Sequence, residues 1–232
     1  SSCSNANDAF IRMVNSLSDT SFRFFYREMT SLEVIEDIYT NRADVGFIMY
    51  PAHKEAEIQD RLMLRHLEFH PLFRSPTQFF CRVGHPILNE RENLTPEKLY
   101  QYNFVLYPSE NTRNRAVESL YNDETLQLIN WNLVPQVIYV NSRASLHNLI
   151  QRSDYIGIGM IPVREQEENY NIVSFPLPDW MKPEADRCGD FVAAYIHQKS
   201  SSLPKAAKAY ITFLEQYYGP ESGYKEKLEL KE

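Results

Sequence analysis

The chain has 232 residues, room for one large domain or two small ones at roughly 100–200 residues each. Its composition, 43% hydrophobic and 24% charged, is globular and excludes a disordered chain, and no apolar run approaches the ~20 residues of a membrane span. A net charge of −7 argues against a chain that grips nucleic acid by itself, because phosphate binding needs a concentrated basic face.

The start is polar, without the basic and apolar regions of a signal peptide. Cys3, Cys81 and Cys188 are an odd count with no short spacing. That disfavours a zinc knuckle, a CxxC redox site or a disulfide framework, and reads as free thiols in a reducing cytosol. Glycine-rich nucleotide fingerprints and the nucleophile elbow GxSxG are missing from the sequence.

In chain order, residues 7–17 read as an amphipathic helix with Phe10, Val14 and Leu17 on one stripe. Phe22–Met29 is an aromatic-rich strand candidate. Thr30-Ser31-Leu32-Glu33 is a capping box, opening a helix that buries Leu32, Ile35 and Ile38 or Tyr39. Asp44–Tyr50 reads as a buried strand closed by Pro51. Leu62–Phe69 alternates like a strand, Phe73–Pro76 reads as a break, and Gln78–Val83 as a further strand. Thr95 caps a helix with Pro96 at its first position. Strands are expected at 104–107, 137–140, 156–161, 172–177 and 191–196, with helices at 113–129, 141–152 and 204–218. Residues 178–189 form a Pro- and charge-rich connector, and 221–232 a charged, frayed end. Alternating helices and strands are the rhythm of an α/β fold.

Six histidines raise a metal hypothesis. His66 and His70 would share an ion on a helix, but their stretch alternates like a strand, where i and i+4 lie about 13 Å apart. The reading is therefore solvent-facing or pairing histidines.

Polar stretches at Ser1–Asn5, Thr30-Ser31, Ser109–Thr112 and Asn141-Ser142 each read as a strand carboxyl end meeting a helix N-terminus. In open α/β sheets ligands bind at that edge, and free helix N–H groups with small hydroxyls favour anions. Ordinary capping by the same residue types is the competing reading.

The element order resembles the effector-binding domain of LysR-type transcriptional regulators. Phe79–Leu88 is similar to the family's apolar strand ending in His-Pro-Leu, and Leu94–Leu99 with Asn103–Tyr107 to the helix and strand that follow it. Asp44–Ile48 resembles an Asp-Leu-Ala-Ile strand, Leu146–Pro162 the helix–Gly–strand–Pro run, and Ser202–Ile211 the terminal helix. The resemblance implies a two-lobed α/β fold of the type 2 periplasmic-binding-protein kind. Each lobe is a mixed sheet flanked by helices, and two crossover strands form the hinge. One lobe would hold residues 1–75 and 189–232, the other 76–188.

Family binding positions then fall on Ser1, Ser2 and Ser4, on Thr30 and Ser31, on Ser109, Asn111 and Thr112, and on Asn141, Ser142 and Arg143. Arg143 would serve as counter-ion. The family's first strand and its helix-turn-helix DNA-binding domain would precede Ser1. The resemblance implies a cytoplasmic sensor that is not an enzyme, takes a small anionic effector, needs no metal or other cofactor, pairs as a homodimer or tetramer, and meets DNA only through the preceding domain. The alternative is an extracytoplasmic solute-binding lipoprotein of the same fold, with Cys3 in Ser1-Ser2-Cys3-Ser4 as the lipidated residue.

Overall fold

The computed structural model describes residues 3–17, 21, 23–107, 129–160, 163–181, 190–199 and 202–224. They fall into two compact units, one of Ser1–Ser75 with Phe191–Lys231, the other of Pro76–Asp190. The boundary lies inside strand β2 (Leu67–Arg82).

The first unit opens with helix α1 (Ser4–Ser16) and helix α2 (Ser31–Tyr39). Strand β1 (Gly46–Pro51), helix α3 (Glu55–Leu64) and the first half of β2 follow. The chain returns at the end with strand β7 (Asp190–Gln198) and helix α7 (Lys205–Tyr218). β7 lies between β1 and β2, and pairs antiparallel with β1 from Gly46↔Ile196 to Pro51↔Phe191. All six residues of β1 are buried, so this strand is covered on both faces.

The second unit takes the other half of β2, then helix α4 (Pro96–Leu99), strands β3 (Asn103–Leu106) and β4 (Val137–Tyr139), and helix α5 (Arg143–Arg152). Strand β5 (Tyr155–Met160), helix α6 (Arg164–Tyr170) and strand β6 (Ile172–Pro176) complete it. β3 is parallel to both β4 and β5, while β2 runs antiparallel to β5 and β6. The sheet is mixed, and α5 is the crossover between two strands parallel to β3. Phe79, Phe104, Ile156 and Phe175 pack on one side of it; Phe80, Val105, Leu146 and Ile150 pack on the other. Successive residues of β2 thus supply two cores.

Several expectations change. Residues 23–30 carry no strand pairing. Phe24 and Tyr26 instead pack on Phe10 of α1, with ring centroids 5.8 and 4.8 Å away, and Arg27 reaches Asp37 at 2.6 Å. The alternation there serves packing on helices rather than a ladder. Val14 is exposed, and α1 buries Ala6, Ala9 and Met13, because its small residues let it lie close on α7. Leu62–Leu64 end α3; the left-handed His66 (φ 55°) turns the chain into β2. Phe73–Pro76 does not break that strand. Its pairs with β5 and β6 begin only after this stretch, at Thr77 and Gln78, so the prolines at 71 and 76 cost no bond to those neighbours. Helix α6 was hidden among charged residues. The helix expected at 113–129 lies outside the described residues, apart from Ile129.

Candidate ligand site at the helix N-termini

Ser31 stands at the first position of α2 and is buried. Its Oγ donates to the Met49 carbonyl at 2.8 Å and accepts the Met49 N–H at 3.0 Å. The N-terminus of α2 is thereby fixed beside the carboxyl end of β1. Thr30 is the N-cap. Its hydroxyl accepts the Glu33 N–H at 3.3 Å and donates to the Glu33 carboxylate at 2.9 Å, which also accepts the Thr30 N–H at 2.8 Å. The capping box read from the sequence is complete. It has a consequence for binding: a carboxylate of the chain itself already occupies the positive end of α2.

Ser4 is the first residue of α1 and is buried. Its hydroxyl lies 3.5 Å from Asn5 Oδ1, while Asn5 Nδ2 donates to the Tyr224 hydroxyl at 2.7 Å. The N-cap, Cys3, gives α1 no side-chain cap, and its first turn holds no acid.

The second unit places Asn141, Ser142 and Arg143 at the start of α5, just past the carboxyl end of β4. Ser142 Oγ accepts the Ser145 N–H at 3.2 Å, and its own O–H has no acceptor among the described residues. Arg143 is half-buried, and no acid stands in the first turn. One turn further, His147 is buried against the Phe80 and Tyr170 rings, and its Nδ1 has no partner among the described residues. Burial, helped by the Arg143 charge, pushes its pKa down to about 4, so the ring is neutral.

The structure thus brings Thr30 and Ser31 together on α2, and Asn141, Ser142 and Arg143 together on α5, with Ser4 on a third helix. Ser1, Ser2, Ser109, Asn111 and Thr112 lie outside the described residues. The sequence did not single out Tyr50, Thr77 or His147, three buried side chains whose Tyr50 hydroxyl, Thr77 hydroxyl and His147 Nδ1 have no described partner. Tyr50 ends an apolar strand, and burial with the nearby Glu55 charge raises its pKa, so the phenol keeps its proton. Thr77 begins the part of β2 paired with β5. In sequence such residues look like core; only their unmet polar atoms mark them. Cys3 and Cys81 are buried and form no disulfide among the described residues. Burial pushes the Cys81 thiol up to about 12, which leaves it a thiol at neutral pH.

Two α/β units that share one continuous strand, with helix N-termini at strand carboxyl ends, define a ligand-binding protein of the two-lobed type 2 periplasmic-binding-protein class. The family profile "LysR substrate binding domain" matches residues 23–219, and the chain belongs to that family. Solved structures agree on the fold. A variant of the OxyR2 regulatory domain from Vibrio vulnificus superposes with a TM-score of 0.57 at 11% identity, covering 92% of this chain and 90% of that one. The regulatory domain of MetR, a LysR family regulator from N. meningitidis, gives 0.52 at 14% identity, with 96% and 90% covered. Against a full-length OxyR variant from Pseudomonas aeruginosa the TM-score is 0.56 at 12% identity, with 91% of this chain covered but 62% of that chain. No curated protein sequence matches.

Proposed function

We propose that the chain is the ligand-sensing part of a cytoplasmic LysR-type transcriptional regulator and binds a small anionic effector. It acts by binding and not by catalysis. The family fold provides two lobes, which we read as residues 1–75 with 189–232 and residues 76–188. The observation that carries the anionic choice is the start of α5: a Ser142 O–H with no acceptor among the described residues, the Arg143 guanidinium, and a first turn without an acid of its own. α2 contributes less charge, since Glu33 already answers its N-terminus, and serves mainly to position backbone through Ser31. Tyr50, Thr77 and His147 offer polar atoms that a ligand would satisfy. Ser1, Ser2, Ser109, Asn111 and Thr112 complete the proposed lining.

The effector acts by favouring one arrangement of the lobes over another, which requires different affinities for the two. A homodimer would pass the change to a DNA-binding domain attached to the sensor. A thermal-shift screen of carboxylates, amino acids, aromatic acids and phosphorylated metabolites tests the reading. A ligand at a hundredfold its Kd adds about 2.7 kcal/mol of stability. The shift should collapse in Arg143→Gln and weaken in Ser142→Ala. A hit untouched by either substitution would move the site away from α5.

A further inference from the structure

We propose that Glu68, His70 and His197 form a binding site for one divalent first-row transition cation, with Zn²⁺ as the best fit to the donor set. Glu68 and His70 are two apart on β2 and so share a face, and His197 comes from the neighbouring strand β7. All three residues lie in the first unit. One oxygen of Glu68 faces both rings: His70 Nε2 stands 3.4 Å from Oε2, and His197 Nε2 stands 3.5 Å from the same atom. One ligand atom from each of the three residues lies within 4.8 Å of the other two. Tetrahedral Zn²⁺ with bonds of about 2.0–2.1 Å has ligand-to-ligand edges of about 3.3–3.4 Å. Two edges of the triangle already have that length. The third is no longer than 4.8 Å, and a turn of the His197 imidazole about χ2, a soft torsion, shortens it.

The surroundings select the ligating tautomer. His197 Nδ1 lies 3.0 Å from the Gln198 carbonyl oxygen, which can only accept. Nδ1 therefore carries a proton, and Nε2, which faces Glu68, is the nitrogen left to meet a metal, as in metal-bound histidines whose other nitrogen bonds a carbonyl. An Nε2 this close to a carboxylate oxygen has either a cation or its own proton between the two atoms. His70 Nε2 is buried, faces the same Glu68 oxygen, and makes no hydrogen bond among the described residues. The ring of His70 is held in plane by stacking on Tyr195, with centroids 4.5 Å apart, and lies 5.3 Å from the His197 ring. Tyr195 is itself anchored by its hydroxyl on Glu215 at 2.6 Å. Two imidazole nitrogens and one carboxylate oxygen suit zinc and its first-row neighbours, not Mg²⁺ or Ca²⁺, and leave a fourth position for water or an incoming donor.

The test is a titration of the untagged, chelator-stripped chain with Zn²⁺ by calorimetry, and with Co²⁺ by visible absorption. The expected result is one equivalent bound, with tetrahedral Co²⁺ bands. Losing a mere supporting group around a metal costs about 10–100-fold in affinity, so losing a ligand should cost at least tenfold. His70→Ala, His197→Ala and the half-exposed Glu68→Gln should each do so, while His53→Ala and His66→Asn keep wild-type binding. Circular dichroism of each variant confirms that it folds. No metal bound by the folded wild type would overturn the site. Binding that survives His70→Ala with His197→Ala would overturn it equally.

Discussion

His147 shows how one side chain ties stability to pH. Its folded pKa of about 4 lies below the ordinary 6.5, through burial first and the Arg143 charge second. Between those values the unfolded chain holds more protons than the folded one, so folding stability rises with pH there. The contribution is complete above pH 6.5 and is lost as the pH falls toward 4, about 3 kcal/mol at most. His85, buried and with its pKa also lowered mainly by burial, acts in the same direction. In urea melts at pH 7 and pH 4.5, His147→Gln should lose less stability on acidification than the wild type. Equal losses would mean that the folded ring is free to charge. The sequence placed His147 on a helix and no more; whether a helical histidine is buried depends on what β2 and α6 lay against it.

Among the elements, those with local signals were legible. The α2 capping box, the Thr95 cap with Pro96, and the Ser142 cap of α5 are each set by residues within one turn. The face of α1 was not, because α7 and the aromatic loop compete for it and the small residues win the close contact. Strand register was equally out of reach. β2 pairs with β5 so that Gly157 faces Phe80, and a Cβ there would come 2.2 Å from the Phe80 ring. Phe80 is 4% exposed and packs in the core with Val105 and Ile150, so its ring has nowhere to retreat. Gly157→Ala should therefore destabilise the second unit by about 1–3 kcal/mol, the usual cost of overpacking. A chemical denaturation curve with an unchanged midpoint would mean that the ring does move.

At the scale of the whole molecule, the first unit is discontinuous, and its middle strand comes from the far end of the chain. Deleting residues 190–232 removes β7 from between β1 and β2 and α7 from the back of α1. The Tyr218 hydroxyl that donates to Asp8, the partner of Arg12 at 2.7 Å, goes with it. The truncated chain should lose the cooperative unfolding of the first unit and expose apolar surface, read by near-UV circular dichroism and dye binding. A truncated chain with native near-UV signal would mean that β1 and β2 hold together without β7.

The amino-acid sequence by itself determined the α/β class, the helix caps and the order of elements that marks the LysR substrate-binding family. These rest on periodicity and on contacts within a few residues, which the chain carries wherever it folds. The tertiary structure alone decided which polar groups meet. Ser31 found Met49, Glu33 closed the end of α2, and His70 with Glu68 turned toward His197 instead of His66. Such meetings follow from strand adjacency and burial, which long-range packing sets and no local spacing records.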